Sequence, residues 1–234
     1  VANPDKPWDW DNISRNPNIT MDIIQANSDK PWNYFYISQN PNLTMDFIKA
    51  NPDKNWQYIF ISENPGITME DIQANLDKPW HYYGGVSKNP NLTMEFINAN
   101  PEIEFGWFNI SQNPGITMED IQANLDKPWK YVSISSNPKL TMDFVNANPE
   151  KNWMWNSIIG NSNITIKDIK ANSDKPWIMA LFCKNPNVSW DIINDVYNNS
   201  RSFIIDNMFE GEIKRLAKYY KNIRLRFKMI NLRR

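Results

Sequence analysis

Cysteine and histidine are nearly missing from this chain, which has one of each among 234 residues. The single cysteine, Cys183, excludes an internal disulfide framework and fits a reducing compartment. Catalysis by Ser/His/Asp or Cys/His groups needs an imidazole beside a nucleophile, and His81 is the only imidazole. A zinc site built on one His and one Cys would need at least two carboxylates, and no ligand spacing indicates such a set. The sequence therefore predicts no enzyme activity and no metal site.

Long apolar runs and glycine-rich loops are missing as well. No apolar run approaches the roughly 18 residues that a membrane span needs. No leader with a charged start and an apolar middle is visible, and no Gly-rich loop could cradle a phosphate. We therefore predict a soluble, cytoplasmic protein that uses no cofactor. The sequence begins at Val1 without Met, and Val1-Ala2-Asn3 matches the middle of later repeats, so we expect further residues upstream.

A motif of the form Asp-Lys-Pro-Trp returns every 24 residues and organises the chain. Self-similarity at this period is typical of stacked units that cannot bury their apolar faces alone. With one slip of a single residue, the aromatic series is Trp8, Trp32, Trp56, Trp80, Phe105, Trp129, Trp153 and Trp177. We interpret these residues as core, because a large aromatic at a fixed repeat position is typical of packing between units. A platform that stacks carbohydrate or bases is the alternative.

Each repeat contains signals for two short helices. Thr44 is predicted to cap the first helix, and Leu43 before it pairs with Ile48 as a hydrophobic staple. The helix ends at the next Asn. A second helix is predicted to start at Asp53 and to run to Ser62 with the tryptophan inside it. Helices of about two turns are marginal in isolation, so stacking must stabilise them.

The predicted fold is all-α. We expect an α-solenoid of about eight 24-residue units over residues 1–193, with two short helices (α plus α or 3₁₀) in each unit. The pattern fails after residue 193. Residues 194–234 are therefore predicted to form a C-terminal helical cap, because an uncapped array exposes apolar surface.

The repeat unit resembles a known family. Its first half reads Asn-Pro-x-[Ile/Leu]-Thr-Met-[Asp/Glu]-x-[Ile/Val] and, with the 24-residue period, resembles the leucine-rich variant repeat, although Met follows the Thr where that family often has Pro. The resemblance covers residues 3–193 and implies one α-helix and one 3₁₀-helix per unit in a right-handed solenoid. The full unit looks still more like the Asn- and Trp-rich repeat proteins of giant viruses. That resemblance implies a viral origin, and a place in the host cytoplasm or the virion.

Departures from the repeat are where function could have been added. One unit carries an extra residue beside Gly84-Gly85, and adjacent glycines permit a bulge or a bend. We interpret it as a neutral kink; a notch for a ligand or partner is the alternative. The next unit has Phe105 in place of Trp, followed by Gly106, so two unusual units stand in succession.

Charge is distributed unevenly. The net charge is −1, yet residues 213–234 contain nine Lys or Arg and no Asp or Glu. Apolar residues recur there at spacings of four and three, which predicts a capping helix, at Leu216, Tyr220, Ile223, Phe227 and Ile230. The candidate basic contacts on its other faces are Lys214, Lys218, Lys221, Arg224 and Lys228. An exposed basic face on a cap is the preferred interpretation; nucleic acid, an anionic membrane, an acidic protein and the acidic repeats are the alternative contacts.

These observations favour a non-enzymatic scaffold that binds another protein, either host or viral. The alternative is a structural component of a virion or other assembly, whose basic C-terminal helix contacts nucleic acid or an acidic partner. Self-assembly is a further possibility, and nothing in the pattern identifies the partner. The candidate partner surface consists of the positions that vary between units, namely Asp9, Asn33, Gln57, His81, Lys130, Lys49, Gln73, Asn98 and Gln122.

Overall fold

A computed structural model describes residues 6–178, 181 and 185–189. Within these residues the chain is all-helical and has no strand; it forms thirteen short α-helices and one 3₁₀-helix in a repeating pattern. The chain divides into two compact units, residues 1–129 and residues 130–234. The predicted cap over residues 194–234 and the predicted boundary after residue 193 lie outside the described residues.

Two kinds of helix alternate along the chain. The main helices are α2 (Met21–Ala26), α4 (Met45–Ala50), α6 (Met69–Gln73), α7 (Met94–Ala99), α9 (Met118–Ala123), α11 (Met142–Ala147) and α13 (Ile166–Ala171). The second helices are α1 (Trp10–Arg15), α3 (Tyr34–Ile37), α5 (Tyr58–Glu63), the 3₁₀-helix (Val86–Lys88), α8 (Trp107–Ser111), α10 (Tyr131–Ile134) and α12 (Trp155–Ile158).

Every described main helix begins at the predicted threonine cap. The Thr44 Oγ1 accepts a hydrogen bond from the backbone N–H of Phe47 at 3.3 Å. The staple residues beside it, Leu43 and Ile48, are both buried. Ser189 stands at the position equivalent to these threonines in the last repeat, and the residues that follow it lie outside the described part. The same capping bond is made by Thr20, Thr68, Thr93, Thr117, Thr141 and Thr165.

The end of the main helix is tied to the tryptophan that follows it. The Asn51 side chain turns back, so that its Nδ2 donates to the carbonyl of Phe47 at 2.9 Å. The Asn51 carbonyl in turn accepts from the indole Nε1 of Trp56 at 2.8 Å. Both bonds recur in every described repeat that has this tryptophan. One asparagine therefore closes the helix and orients the indole.

The second helix begins later than predicted. It starts at Tyr58 rather than at Asp53, so Asp-Lys-Pro-Trp forms the turn between the two helices and Trp56 is not helical. The backbone N–H of Trp56 donates to the carbonyl of Lys54 at 2.8 Å, a tight three-residue turn rather than a helical i to i−4 bond. The prediction was wrong because the indole bond to Asn51 holds the tryptophan back against the end of the main helix.

The predicted core aromatics join successive repeats within each unit. The ring of Trp80 meets that of Tyr58 edge to face, with centroids 5.3 Å apart. Trp56 is half-buried. Trp8, which was also predicted to be core, is 42% exposed and thus differs from the later members of the series. The other six members of the series are buried, namely Trp32, Trp80, Phe105, Trp129, Trp153 and Trp177.

Three buried aliphatic side chains in each repeat between residues 37 and 169 complete the core. In one repeat they are Ile61 of the second helix, Ile67 before the cap and Ile72 of the main helix. Burying such a side chain contributes roughly 1.5–3 kcal/mol. A single repeat has few of them, so contacts with its neighbours must supply the rest of its stability.

Buried asparagines of the Asn-Pro turns bridge successive repeats, and we call this set the asparagine ladder. The Asn64 Nδ2 donates to the carbonyls of Ser38 at 3.0 Å and Asn40 at 2.9 Å. Its Oδ1 accepts from the backbone N–H of Gly66 at 2.8 Å, which shapes the turn. Each rung thus fixes its own turn and holds the turn of the repeat before. The rungs are Asn40, Asn64, Asn89 and Asn113 in residues 1–129, and Asn161 and Asn185 in residues 130–234.

A buried serine makes a second bond between repeats. The Ser62 Oγ donates to the carbonyl of Tyr58 at 2.6 Å and accepts from the backbone N–H of His81, one repeat later, at 2.9 Å. The hydroxyl therefore satisfies a helix carbonyl and the backbone N–H of the residue that follows the tryptophan in the next repeat. Ser14, Ser38, Ser87 and Ser135 accept the equivalent bond within their units.

Candidate interaction surface

The predicted surface residues that follow the tryptophan all stand before a second helix. The fold itself uses some of their polar groups in hydrogen bonds. The backbone N–H of Asn33 donates to the Ser14 Oγ at 3.0 Å. Its Oδ1 accepts from the Phe35 backbone N–H at 3.0 Å, and its Nδ2 donates to the Asp11 carboxylate at 2.7 Å. Asn33 is therefore a structural residue. The five positions are exposed or half-buried and are Asp9, Asn33, Gln57, His81 and Lys130.

The predicted surface residues of the main helices are exposed, and they are Lys49, Gln73, Asn98 and Gln122. Gln73 borders a groove of about 550 Å³ between α6 and α7, which also includes the carboxylates of Glu70 and Glu95. A hydrogen bond from its own backbone N–H, and then one from Thr68, lowers the pKa of Glu70 below its ordinary value. This face of the main helices is therefore acidic at neutral pH.

The second helices of residues 1–129 expose large apolar side chains that the sequence analysis missed. They stand three positions after the repeated aromatic in four consecutive repeats, and we call them the apolar row: Phe35 (43% exposed), Ile59 (50%), Tyr83 (59%) and Phe108 (56%). Tyr83 lies in the turn just before the 3₁₀-helix, which packs between α5 and α8, so Ile59, Tyr83 and Phe108 belong to adjacent repeats. The sequence signal that could have revealed the apolar row is a position that stays apolar in consecutive repeats although it is not one of the core positions.

The extra residue beside Gly84-Gly85 is absorbed by a widened turn. The backbone N–H of Val86 donates to the carbonyl of His81 at 2.9 Å, and that of Ser87 donates to Tyr82 at 3.0 Å. Both bonds span five residues instead of the four of an α-helix. A Cβ on Gly85 would lie 2.5 Å from the Ser62 Cβ, so the widened turn fits only with glycine there. The predicted bulge is thus observed as a wide turn that ends in the 3₁₀-helix.

The widened turn also explains the glycine of the next repeat. It directs the carbonyl oxygen of Tyr83 at Gly106, where an added Cβ would lie 2.2 Å away. The Asn109 Nδ2 donates to the same oxygen at 3.2 Å. Other repeats carry a side chain at the position of Gly106. The two unusual repeats are therefore one feature, in which the second compensates for the insertion in the first.

Replacing Gly106 by alanine should lower the free energy of unfolding by about 1–3 kcal/mol, because the new methyl group meets a backbone oxygen that cannot rotate away. Chemical denaturation followed by circular dichroism measures this. Gly160→Ala is the control, since its Cβ would lie 3.7 Å from the nearest atom, and it should change stability by less than about 0.5 kcal/mol. Equal effects of the two changes would contradict the proposed compensation.

Burial raises the pKa of Tyr34 and of Tyr58 above the ordinary value of 10.0. A raised folded-state pKa means that folding favours the neutral phenol, so its stabilisation is complete below pH 10.0 and is lost as pH rises through the folded-state pKa. The melting temperature of the parent should therefore fall on alkaline titration more steeply than that of Tyr34→Phe/Tyr58→Phe, in thermal melts. Identical pH profiles would show that these phenols do not link ionisation to folding.

In the part of the chain that the structure describes, no three His, Cys, Asp or Glu side chains come together where they could hold a metal ion. No helix within that part has the length and apolarity to cross a bilayer. No protein-family model, curated protein or solved structure matches the chain. The predicted basic contacts lie outside the described residues, and they are Lys214, Lys218, Lys221, Arg224 and Lys228.

Proposed function

We propose that the chain is a non-enzymatic helical-repeat scaffold that binds another protein through the apolar row. The supporting observation is that four consecutive repeats expose a large apolar side chain at the same position. Aligned exposed apolar residues mark interaction sites, whereas scattered ones need no explanation. Aromatic side chains, which form three of the four positions, are enriched in the centres of interfaces.

In this proposal the row belongs to an α-solenoid of about eight 24-residue units that a C-terminal helical cap closes. The asparagine ladder supports it, because each rung joins a repeat only to the one before and can be continued indefinitely. The resemblance of the repeat to the leucine-rich variant family supports the same architecture. A viral origin, with action in the host cytoplasm or the virion, rests on the resemblance to giant-virus repeats.

The proposal is tested by comparing two double variants of the full chain as baits in extracts of the cells that naturally contain it. Tyr83→Ser/Phe108→Ser removes half of the apolar row. Leu76→Ser/Leu125→Ser is the matched control, because both leucines are about half exposed but lie in the turns between helices. We expect a protein that binds the parent and the control but not the row variant, while all three melt alike. If the row variant captured that protein as well as the parent does, binding through the apolar row would be contradicted.

The second candidate, a structural component of an assembly, is supported by the nine Lys and Arg of residues 213–234. Such a segment binds nucleic acid with an affinity that falls steeply with salt. Capsid proteins or nucleic acid in the captured material, released by moderate salt and unaffected by the row variant, would favour this function over the first.

A further inference from the structure

We infer that the groove between α6 and α7 is a second binding site, which takes a basic segment of a partner protein. The segment places the charged end of an arginine or lysine beside the carboxylates of Glu70 and Glu95, and its apolar atoms against the rest of the lining. The groove lies on the main helices and shares no residue with the apolar row. This site therefore goes beyond the proposed function and does not depend on it.

The groove combines space with apolar surface. Its volume of about 550 Å³ lies within the range of about 300–1,000 Å³ that is usual for ligand clefts. The buried side chains of Met69 and Phe96 line it, together with the short side chains of Ala74 and Ala99. A ligand that enters the groove thus meets apolar atoms as well as the two carboxylates.

Alternation between repeats brings an aromatic ring to this groove. The third position of the main helix is Phe96 in α7, whereas it is Asp71 in α6 and Asp120 in α9. Those aspartates turn back to their own helix starts, where each completes a capping box with its threonine. Phe96 instead packs edge to face on Phe105, with ring centroids 6.3 Å apart. The groove therefore has an aromatic wall where α6 and α9 carry a capping carboxylate.

A hydrogen bond joins the two sides of the groove. The Nδ2 of Asn100, which follows α7, donates to the Oε1 of Gln73 on α6 at 3.4 Å. The same Nδ2 donates to the carbonyl of Phe96 at 2.8 Å, so Asn100 is itself held on the end of its helix. The groove is thus formed in the free protein, which lowers the entropic cost of binding.

Charge favours a basic occupant. Residues 6–129 have sixteen Asp or Glu against eight Lys or Arg. Among these residues, Glu70 and Glu95 are exposed and form no ion pair, so a ligand can use their charges. Such a surface attracts basic segments and repels acidic ones. Five of the eight bases already pair with an acid, namely Lys30, Lys54, Lys78, Lys88 and Lys127.

Arginine and lysine suit both parts of the lining. Each carries its charge at the end of an apolar stem, which can lie along Met69 and Phe96 while the charged end reaches a carboxylate. A hydrogen bond between such a charge and a carboxylate is stronger than one between neutral groups. A segment of protein is favoured over a small cation, because a small cation leaves the apolar lining uncovered.

Nuclear magnetic resonance of the ¹⁵N-labelled full chain tests the site with two probes, acetyl-Leu-Arg-Leu-amide and acetyl-Leu-Glu-Leu-amide. The arginine probe should shift the amide signal of Gln73, whereas the glutamate probe should not. Glu70→Gln/Glu95→Gln should weaken binding of the arginine probe about tenfold or more, measured at this signal. The matched control is Glu102→Gln/Glu104→Gln, which removes two exposed carboxylates that follow α7 and should weaken binding less than about twofold.

Charge reversal sharpens the test. Glu70→Lys/Glu95→Lys should exchange the preference, so that the glutamate probe binds more tightly than the arginine probe. A lysine already stands at the equivalent position of α13, Lys167, so the main helix accepts this residue. All of these variants should melt like the parent, because neither glutamate belongs to the core or to a capping box.

Three results would overturn the inference. One is an unshifted Gln73 signal with the arginine probe. Another is an equal loss of affinity in the Glu102→Gln/Glu104→Gln control, which would show attraction by net charge alone. The third is equal affinity for arginine amide and for the arginine probe, which would assign the groove to a small cation. Tyr83→Ser/Phe108→Ser should bind the arginine probe as the parent does, so failure of the apolar row and failure of the groove are distinguishable.

Discussion

Replacing Asn89 by alanine is expected to lower the free energy of unfolding by about 3–5 kcal/mol, because several buried polar groups lose their partners at once. The Asn89 side chain is fully buried, and its Nδ2 donates to the carbonyls of Ser62, Asn64 and Ile67, each at 3.1 Å. Its Oδ1 accepts from the backbone N–H of Asn91 at 2.9 Å. Alanine offers no hydrogen bond to any of these groups, and its methyl group is too small to fill the space that the amide leaves.

Chemical denaturation of the full chain measures this loss of stability. Two further variants test whether the lost hydrogen bonds cause it. Asn98→Ala removes an exposed amide from α7 and should stay within about 0.5 kcal/mol of the parent. Asn89→Asp keeps the shape and the acceptor but removes the donor and buries a carboxylate, so it should be at least as damaging as alanine. If Asn89→Ala and Asn98→Ala were equally mild, the ladder would not be a main source of cohesion between repeats.

Replacing Trp129 by alanine is expected to cost about 3–5 kcal/mol through the loss of a large buried ring. The Trp129 ring is 8% exposed and meets Trp107 edge to face with centroids 5.1 Å apart. Its indole Nε1 also donates to the carbonyl of Asn124 at 2.7 Å. The substitution therefore removes packing between two repeats together with the indole bond to the residue that ends α9.

Trp129→Phe separates these two contributions. Phenylalanine keeps an edge for the ring contact but removes the indole bond to the Asn124 carbonyl, which then accepts only from the Lys127 backbone N–H at 3.1 Å. The expected cost is therefore about 1–3 kcal/mol. Phe108→Ala is the control, because that ring is mostly exposed. A Trp129→Ala variant that melted like the parent yet lost binding would show that the aromatic series is a binding platform rather than core.

Local signals were sufficient to predict where the main helices begin. Thr44 and its equivalents act within one turn of their own position, so their effect is readable from a few neighbouring letters. The late start of the second helix was not readable in this way. It depends on the indole bond from Trp56 to Asn51, which competes with the helix-start signal of Asp53-Lys54-Asn55.

Bonds between repeats were beyond sequence reasoning because their partners lie 19–27 residues apart. An Asn before Pro is an ordinary helix stop, and nothing in that dipeptide reveals that the Asn64 amide reaches the previous turn. The prediction of the candidate surface was affected in the same way, because it also depends on contacts between repeats. Variation between repeats indicated Asn33 as a contact residue, whereas its amide caps α3 and binds Asp11 of the preceding repeat.

The asparagine ladder and the indole bonds also determine where this protein can be lengthened. The spacing from the buried serine to the threonine cap is fixed, and so is the spacing from the helix-ending asparagine to the tryptophan. These spacings keep the hydrogen bonds in register. In the described repeats, the one additional residue stands between the tryptophan and the serine, at Gly84-Gly85, and Gly106 leaves room for it in the following repeat. A foreign loop grafted into another repeat should be tolerated at that segment when the next repeat receives a matching glycine, which makes the natural irregularity a template for engineering the array.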